Sequence, residues 1–352
     1  MFISKLHTNE IDNLNNDRSP IYREQNVVWA SEGSVDLTEN IHTGECQRNL
    51  FYKFLGFPET NKMSIRVRNI CDAGLMYEDE TIKLFKKNNL FLDEQLRMEF
   101  IYPDTKNDVI SSGKIDLLIL DDDIVKGIEI KTIYGYKVDK VFGNDKEFPL
   151  PVAKNLIQAM NYKYRAMQGP VLCNDGVEHQ IDEIYLLYID RGTFTRMYFK
   201  IDIDDQGYGI ITPITQSGLK LETIHLQNVD SFDILQSNSM TATTEQSRLA
   251  ELRFSIYDLA KKYDSIYNYV REKTLPPKDY KLIYDNNDID REYHCGKLSK
   301  LKYNKYYKNQ EQVGDMMCSF CNYRDKCLND DGIMLTWLFN FKLCNIWNKW
   351  PI

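Results

Sequence analysis

The stretch Gly113–Thr132 constrains this chain more than any other, because it has the pattern of two adjacent core strands that carry acid where a core strand should carry none. Gly113-Lys114-Ile115-Asp116-Leu117-Leu118-Ile119-Leu120 has the composition of a buried strand, and Val125 to Thr132 that of its neighbour, after the turn Asp121-Asp122-Asp123. Period-two alternation sends Glu129 and Lys131 to one face and Ile128 and Ile130 to the other. If the hairpin turns on Asp122-Asp123, Asp116 falls opposite Glu129 and shares its face. Two carboxylates and an ammonium then occupy one patch, and unpaired buried charge is expensive, so something must neutralise it. A divalent cation held by carboxylate oxygens would do so. The alternative that the pattern leaves open is a surface hairpin with an ordinary Glu/Lys pair.

At 352 residues the chain can bury one large core or two modest ones. Lys+Arg 44 against Asp+Glu 52 gives a net charge of -8, which excludes a histone-like coat and makes any nucleic-acid contact local. No run is apolar enough to span a bilayer, and His7 to Asn16 has the character of neither a signal nor a transit peptide. A cytoplasmic place, bacterial or in an infected cell, with no membrane partner, is the expectation. The eight cysteines fall at 46, 71, 173, 295, 318, 321, 327 and 344. In a large cytoplasmic protein, close cysteines point to metal or cluster ligation rather than disulfides.

Along the chain, residues 1 to 40 show no strong periodicity. Glu45 to Gly56 predicts a short amphipathic helix with Cys46 in its first turn. Leu75 to Asn88 predicts a helix whose apolar stripe is Leu75, Ile82 and Phe85, with Glu78 inside it. An acid in that stripe needs a partner, which a cation shared with Asp116 and Glu129 would supply, unless Glu78 snorkels to water at the helix margin. Strand character runs from Gln95 to Tyr102. A helix from Val152 to Gln168 has Leu156, Met160 and Met167 as its packing side and Lys154, Gln158, Tyr162 and Arg165 opposite. That second face suits a phosphate backbone, and as a solvated face it would look the same. Ile181 to Asp190 and Phe194 to Ile203 predict two more strands. Asp204 to Met240 has the character of a polar excursion, followed by one long helix from Thr244 to Lys273 that stops before Pro276-Pro277.

Lys297, Lys300, Lys302, Lys305 and Lys308 alternate with Tyr303, Tyr306 and Tyr307 and include no acid, a pattern suited to a single-strand groove or to a solvated helix. Cys318-x2-Cys321-x5-Cys327 is metal or iron-sulfur spacing in need of a fourth ligand, and zinc with Cys295 is the competing reading. The tail from Ile333 to Ile352, with Trp337, Trp347 and Trp350, has the look of a docking or partner segment. The chain contains no Walker-type phosphate loop and so no motor of its own.

In order, Glu78, Gly113-x-x-Asp116, Glu129-x-Lys131 and Gln158-x-x-x-Tyr162 resemble the motifs of the RecB-type PD-(D/E)xK nucleases. Cys46 before them and Cys318, Cys321 and Cys327 behind resemble the iron-sulfur subgroup, which includes CRISPR-associated exonucleases and AddB-type recombination nucleases. The likeness covers roughly residues 44 to 170 and 316 to 328; any one motif is weak, the ordered set specific. Many members have a His near the first acid, whereas this chain has Gly74-Leu75-Met76-Tyr77-Glu78.

The resemblance implies an α/β, restriction-endonuclease-like mixed sheet flanked by helices. A helical iron-sulfur part would join the N- and C-terminal segments. The parts expected are an N-terminal segment 1–60, a nuclease core 61–203, the excursion 204–243, a helical part 244–330 and the tail 331–352. It implies a deoxyribonuclease, an exonuclease on single-stranded DNA or DNA ends, with a helicase or recombination partner. Glu78, Asp116, Glu129 and the Ile130 carbonyl would bind Mg2+ or Mn2+, with Lys131, Gln158 and Tyr162 completing the catalytic set. Cys46, Cys318, Cys321 and Cys327 would hold a 4Fe-4S cluster, and Lys154, Arg165, Lys300, Lys302, Lys305 and Tyr306 would contact DNA. A DNA-end binding or adaptor subunit with a structural iron-sulfur or zinc centre is the alternative.

Overall fold

The computed structural model describes residues 27–38, 41–61, 65–135, 137–144, 147–229, 244–294, 298–309 and 313–331. Cys295, Lys297 and the aromatic tail with Trp337, Trp347 and Trp350 lie outside the described residues. The chain divides into two units, Met1–Glu45 with Ile65–Thr274, and Cys46–Ser64 with Leu275–Ile352. Among the described residues no helix is long and apolar enough to cross a membrane.

The first unit is α/β, built on an eight-stranded mixed sheet. Its strands are β1 (Val27–Trp29), β4 (Phe91–Ile101), β5 (Ile110–Asp121), β6 (Ile124–Ile133), β9 (Glu183–Asp190), β10 (Arg196–Ile203), β11 (Gly209–Thr215) and β12 (Ile224–His225). The hairpins β2 (Ser34–Thr38) with β3 (Ile41–Gly44), and β7 (Val171–Leu172) with β8 (Glu178–His179), stand apart from it. The helices of this unit are α1 (Ile65–Lys87), α2 (Lys137–Phe142), α3 (Ala153–Met167), α4 (Thr244–Glu251) and α5 (Ile256–Glu272).

The hairpin β5–β6 turns at Asp122 and Asp123, both left-handed at φ 50° and 66°, the geometry a tight two-residue turn requires. Its ladder runs from Asp121↔Ile124 to Leu117↔Ile128 and stops there, one rung before Asp116 and Glu129. On the same edge, β1 pairs in parallel with β5 only as far as Ser112. Residues 113–116 of β5 therefore lie in a gap between two neighbours, with backbone groups that must find partners elsewhere. Beyond β6 the sheet turns parallel, Glu129 beside Leu186 and Lys131 beside Tyr188. The crossover that a parallel pair needs runs through α3.

One face of the sheet packs Leu117, Ile119, Ile128, Ile130, Leu187 and Ile189 against Ile82 of α1. The intervening residues point the other way, where Tyr188 Oη accepts from the Val152 N–H at 3.1 Å and from Asn155 at the start of α3. The predicted alternation of Glu129 and Lys131 with Ile128 and Ile130 is thus the alternation of the sheet. Ser255 caps α5 and accepts from the Asp258 N–H.

Several boundaries differ from the sequence expectation. The helix predicted from Leu75 begins at Ile65, and Leu75 is 58% exposed, because only Ile82, Phe85 and Tyr77 reach the core cluster. The supposed excursion after Asp204 is sheet for much of its length: β11 pairs with β10 from Ile203↔Gly209 to Met197↔Thr215. Ile211 and Ile201 there are fully buried despite the polar composition around them. Residues 230–243 lie outside the described residues. The single helix expected from Thr244 to Lys273 is two, broken at Leu252 to Ser255 by the cap of α5. Val27–Trp29, given no structure from sequence, is a strand whose Val28 is fully buried.

The second unit joins the helix Gln47–Phe54 to the helices Asn286–His294, Lys300–Asn309, Met316–Ser319 and Arg324–Asp330. Its two pieces are knit without any ligand: the Thr60 and Asn61 N–H groups donate to the Asn322 carbonyl at 2.9 and 2.8 Å. Arg48 pairs with Asp331 at 2.6 Å, and Tyr52 packs on Tyr323 with ring centroids 5.4 Å apart.

Gly113 illustrates how sequence sets spacing at the gap in β5. A Cβ on it would lie 2.8 Å from both Ala30 Cβ and Tyr162 Oη, closer than side chains approach. Gly113→Ala is therefore expected to destabilise the first unit by about 1–3 kcal/mol, read from its thermal or urea midpoint.

Candidate active site

Just beyond the last rung of the β5–β6 ladder, the Ile130 N–H donates to Asp116 Oδ2 at 2.7 Å. Asp116 is 9% exposed and Glu129 2%, so these acids sit in the wall of the core. Lys131 donates to Glu129 Oε1 at 2.5 Å. The other oxygen, Glu129 Oε2, is buried and has no hydrogen-bond partner. An orphaned buried carboxylate oxygen is costly, and a cation is the partner its chemistry calls for.

Glu78 arrives from α1. Gln95 Nε2 donates to Glu78 Oε1 at 2.8 Å and to Asp116 Oδ1 at 3.3 Å, so one amide group bridges the two acids. Gln95 was not singled out from sequence. It lies across from Asp116, between the rungs Glu94↔Leu117 and Leu96↔Ile115, with a left-handed φ of 53°. Strain of that kind concentrates where a side chain must be aimed. The polar run Asp93-Glu94-Gln95 inside a strand was the only signal for it.

The electrostatics are those of a site with too much negative charge. Burial, then the charge of Asp116, pushes Glu78 up to about 7. Burial pushes Glu129 up to about 8, Asp116 and Glu78 adding to it against the pull of Lys131. Burial likewise raises Asp116, opposed by Lys131 and the Ile130 N–H. Burial alone would lower Lys131, but Glu129 and Asp116 outweigh it and hold the ammonium above its ordinary range. Three acids around one amine leave an excess that a divalent ion would cancel.

Gln158 and Tyr162 do not form a solvent face opposite the packing side of α3. They are 7% and 1% exposed, whereas Met167, expected in the core, is 56% exposed. Tyr162 Oη donates to the Lys114 carbonyl at 2.9 Å and accepts from Gln158 Nε2 at 3.0 Å. The helix is thereby pinned to the gap in β5, and the carbonyl that the gap leaves without a ladder partner is satisfied. Tyr162→Phe is expected to cost about 1–2 kcal/mol, measured by denaturant unfolding, since it strands that buried acceptor.

The candidate DNA contacts are scattered. Lys154 pairs with Glu45 at 2.5 Å, and Arg165 caps its own helix through the Gly169 and Pro170 carbonyls. In the second unit Lys300, Lys302 and Lys305 are exposed. The tyrosines beside them are used for packing: Tyr303 stacks on Tyr293 at 4.2 Å, and Tyr306 donates to Asn286. The helix offers a basic ridge, and those two rings are not the free platforms the groove reading needs.

In the second unit Cys46, Cys318, Cys321 and Cys327 are in no disulfide among the described residues. Cys318 is pushed up to about 12 by burial and by charge on Cys46, Asp315, Cys321 and Cys327, so the four sulfurs lie within electrostatic reach. Cys46 is the N-cap of Gln47–Phe54 without a side-chain capping bond, and burial raises its thiol above the ordinary value. The Tyr323 N–H donates to Cys321 Sγ at 3.4 Å and Arg48 Nη1 to Cys327 Sγ at 3.5 Å. Donors aimed at sulfur suit a thiolate that carries negative charge. Among the described residues no three of these thiols lie within 4.8 Å of one another. Around a single zinc ion, sulfurs held at about 2.3 Å would be roughly 3.8 Å apart. Arg48, which no cysteine spacing points to, is the residue sequence reading missed here.

No protein-family model matches the chain, and no curated protein matches it as a relative.

Proposed function

We propose that the chain is a metal-dependent deoxyribonuclease of the RecB-type PD-(D/E)xK kind, with a restriction-endonuclease-like core and an iron-sulfur staple. The observation that carries this reading is the orphaned, buried Glu129 Oε2 beside the Lys131–Glu129 pair, with Glu78 and Asp116 linked through the Gln95 amide. Among the described residues the oxygens of Glu78, Asp116 and Glu129 do not all lie within 4.8 Å of one another, so a shared ion would have to draw them together. Mg2+ or Mn2+, when bound by these carboxylates, supplies Lewis acidity toward the scissile phosphate and the attacking water.

The remaining work falls to the chain. The Ile130 N–H fixes the rotamer of Asp116, and Lys131 fixes that of Glu129, so the acids are aimed before any ligand arrives. Lys131 is held as an ammonium and serves as a cation toward the charge that develops on the phosphoryl oxygens, rather than as a base. Gln158 and Tyr162 act at one remove, holding α3 against β5. A 4Fe-4S cluster on Cys46, Cys318, Cys321 and Cys327 would have a structural task, because hydrolysis moves no electrons. The wide sulfur spacing and the N–H donors favour it over zinc.

End-labelled linear and circular single strands, incubated with Mg2+, Mn2+ or EDTA, test the reading. Cleavage of linear strands with either metal and none in EDTA is expected. Equal binding in all three conditions with no cleavage in any would overturn it in favour of a DNA-end adaptor.

A further inference from the structure

A cavity of about 380 Å³ opens beside the gap in β5, lined in part by Trp29, Arg97, Gly113, Lys114, Gln158 and Tyr162. No carboxylate is among its lining residues. Arg97 and Lys114 are direct cross-strand partners. Like charges in that relation repel, and strands do not place them so without a reason. Arg97 reaches away to Glu99 at 2.6 Å, which leaves Lys114, exposed on the cavity rim, facing another cation. An anion seated between the two strands turns the repulsion into a binding site. Trp29, 37% exposed, adds an aromatic surface to the same cavity. Cations with one aromatic ring suit a phosphate carrying a base.

The cavity has a fixed relation to the carboxylates. Lys114 and Asp116 are two residues apart on β5, which puts their Cα atoms about 6.6 Å apart along the strand. The rung Arg97↔Lys114 is followed, toward the acids, by the position where Gln95 lies across from Asp116. Tyr162 forms part of the cavity wall and also feels the charges of Glu129 and Asp116.

We propose that this cavity is a nucleotide subsite. Lys114 and Arg97 hold the phosphate neighbouring the one at the carboxylates, and its unpaired base lies on Trp29. The inference rests on the nuclease reading and favours a single-stranded substrate, because a base paired in duplex would first have to be unpaired and unstacked, which costs free energy.

The test uses the full chain, a short phosphorothioate oligothymidylate and its duplex counterpart. Binding by the parent and every variant is followed in EDTA by the fluorescence anisotropy of a dye-labelled strand, contact at Trp29 by its own fluorescence with Trp29→Phe as the background, and trimming of unmodified strands separately in Mg2+. Single strands are expected to quench Trp29 and to bind better than duplex. Trp29→Ala and Lys114→Glu should each weaken single-strand binding about tenfold, with Trp29→Phe retaining most of it. Lys114→Gln should lower the salt slope of binding by about one. Melting curves like the parent's keep these results from being read as misfolding; should Lys114→Glu melt early, Lys114→Gln decides. Parent-like binding by Trp29→Ala and Lys114→Gln would overturn the subsite even if the parent cleaves DNA. Quenching that depends on Lys114, in a parent that cleaves nothing, would uphold the subsite and overturn the nuclease reading instead.

Discussion

Glu129→Gln is expected to reduce DNA cleavage on the order of 10³-fold while leaving the fold intact, because it removes the one buried carboxylate oxygen without a hydrogen-bond partner among the described residues. Its second effect is on stability in metal-free protein. Glu129 is held up to about 8, above the ordinary glutamate value of 4.5, and Glu78 up to about 7. A carboxyl whose folded value is raised keeps a proton that the unfolded chain gives up. Its contribution is therefore intact below the unfolded value and is lost as pH rises toward the folded one. The parent in EDTA should melt at progressively lower temperature from about pH 5 to pH 8. Mg2+ should flatten this slope by taking over the neutralising role. The glutamine variant, which has no charge to desolvate there, should show a smaller slope and a smaller response to Mg2+. Parent-like cleavage by purified Glu129→Gln would remove the assignment of this site.

Cys318→Ser is expected to produce the largest change in the second unit. Anaerobically purified parent should be brown with broad visible absorbance, and the variant pale. A clip from Cys46 to Cys318 closes a loop of 272 residues, worth on the order of 5 kcal/mol in chain entropy. Loss of that clip should lower the melting temperature of the second unit and expose the 46–64 segment to protease. The direct ties, Thr60 and Asn61 to Asn322 and Arg48 to Asp331, should leave the variant partly folded rather than collapsed. A colourless parent with one bound zinc ion would replace the cluster by a zinc site. A parent with neither metal would leave the thiols without a cofactor role.

The two changes act on different units, so they separate catalysis from assembly. Cys318→Ser should spare the first unit's own transition, whereas Glu129→Gln should leave the colour unchanged. Gly113→Ala and Tyr162→Phe, which act at the gap in β5, should shift the same transition as the metal-free pH series and leave the colour alone.

Local periods fixed a good deal in advance. The alternation around Glu129 and the turn at Asp122-Asp123 depend only on residues near in sequence, and both stand in the structure where the pattern put them, whereas Cys46, expected in the first helical turn, is the N-cap just before it. Counting along that hairpin puts Asp116 opposite Glu129, but the ladder ends at Leu117↔Ile128, and beyond it Asp116 meets β6 through the Ile130 N–H. What counting could not supply was any contact whose partner lies in a distant strand. Gln95 meets Asp116 only after a bulge between Phe91 and Asp93 and a left-handed φ, neither of which leaves a periodic trace. The polar-looking Gly209–Thr215 became sheet because β10 offered it an edge, and Leu75 stayed exposed because the core contacts of α1 lie further along the helix. Arg97 and Lys114 are ordinary surface cations in sequence, and Trp29 an isolated aromatic. Pairing β4 and β1 to the same strand set them around one cavity. The sequence by itself determined which acids point together, because side-chain direction in a strand is a local property. The tertiary structure decided what faces them, because strand order is settled by burial over the whole sheet.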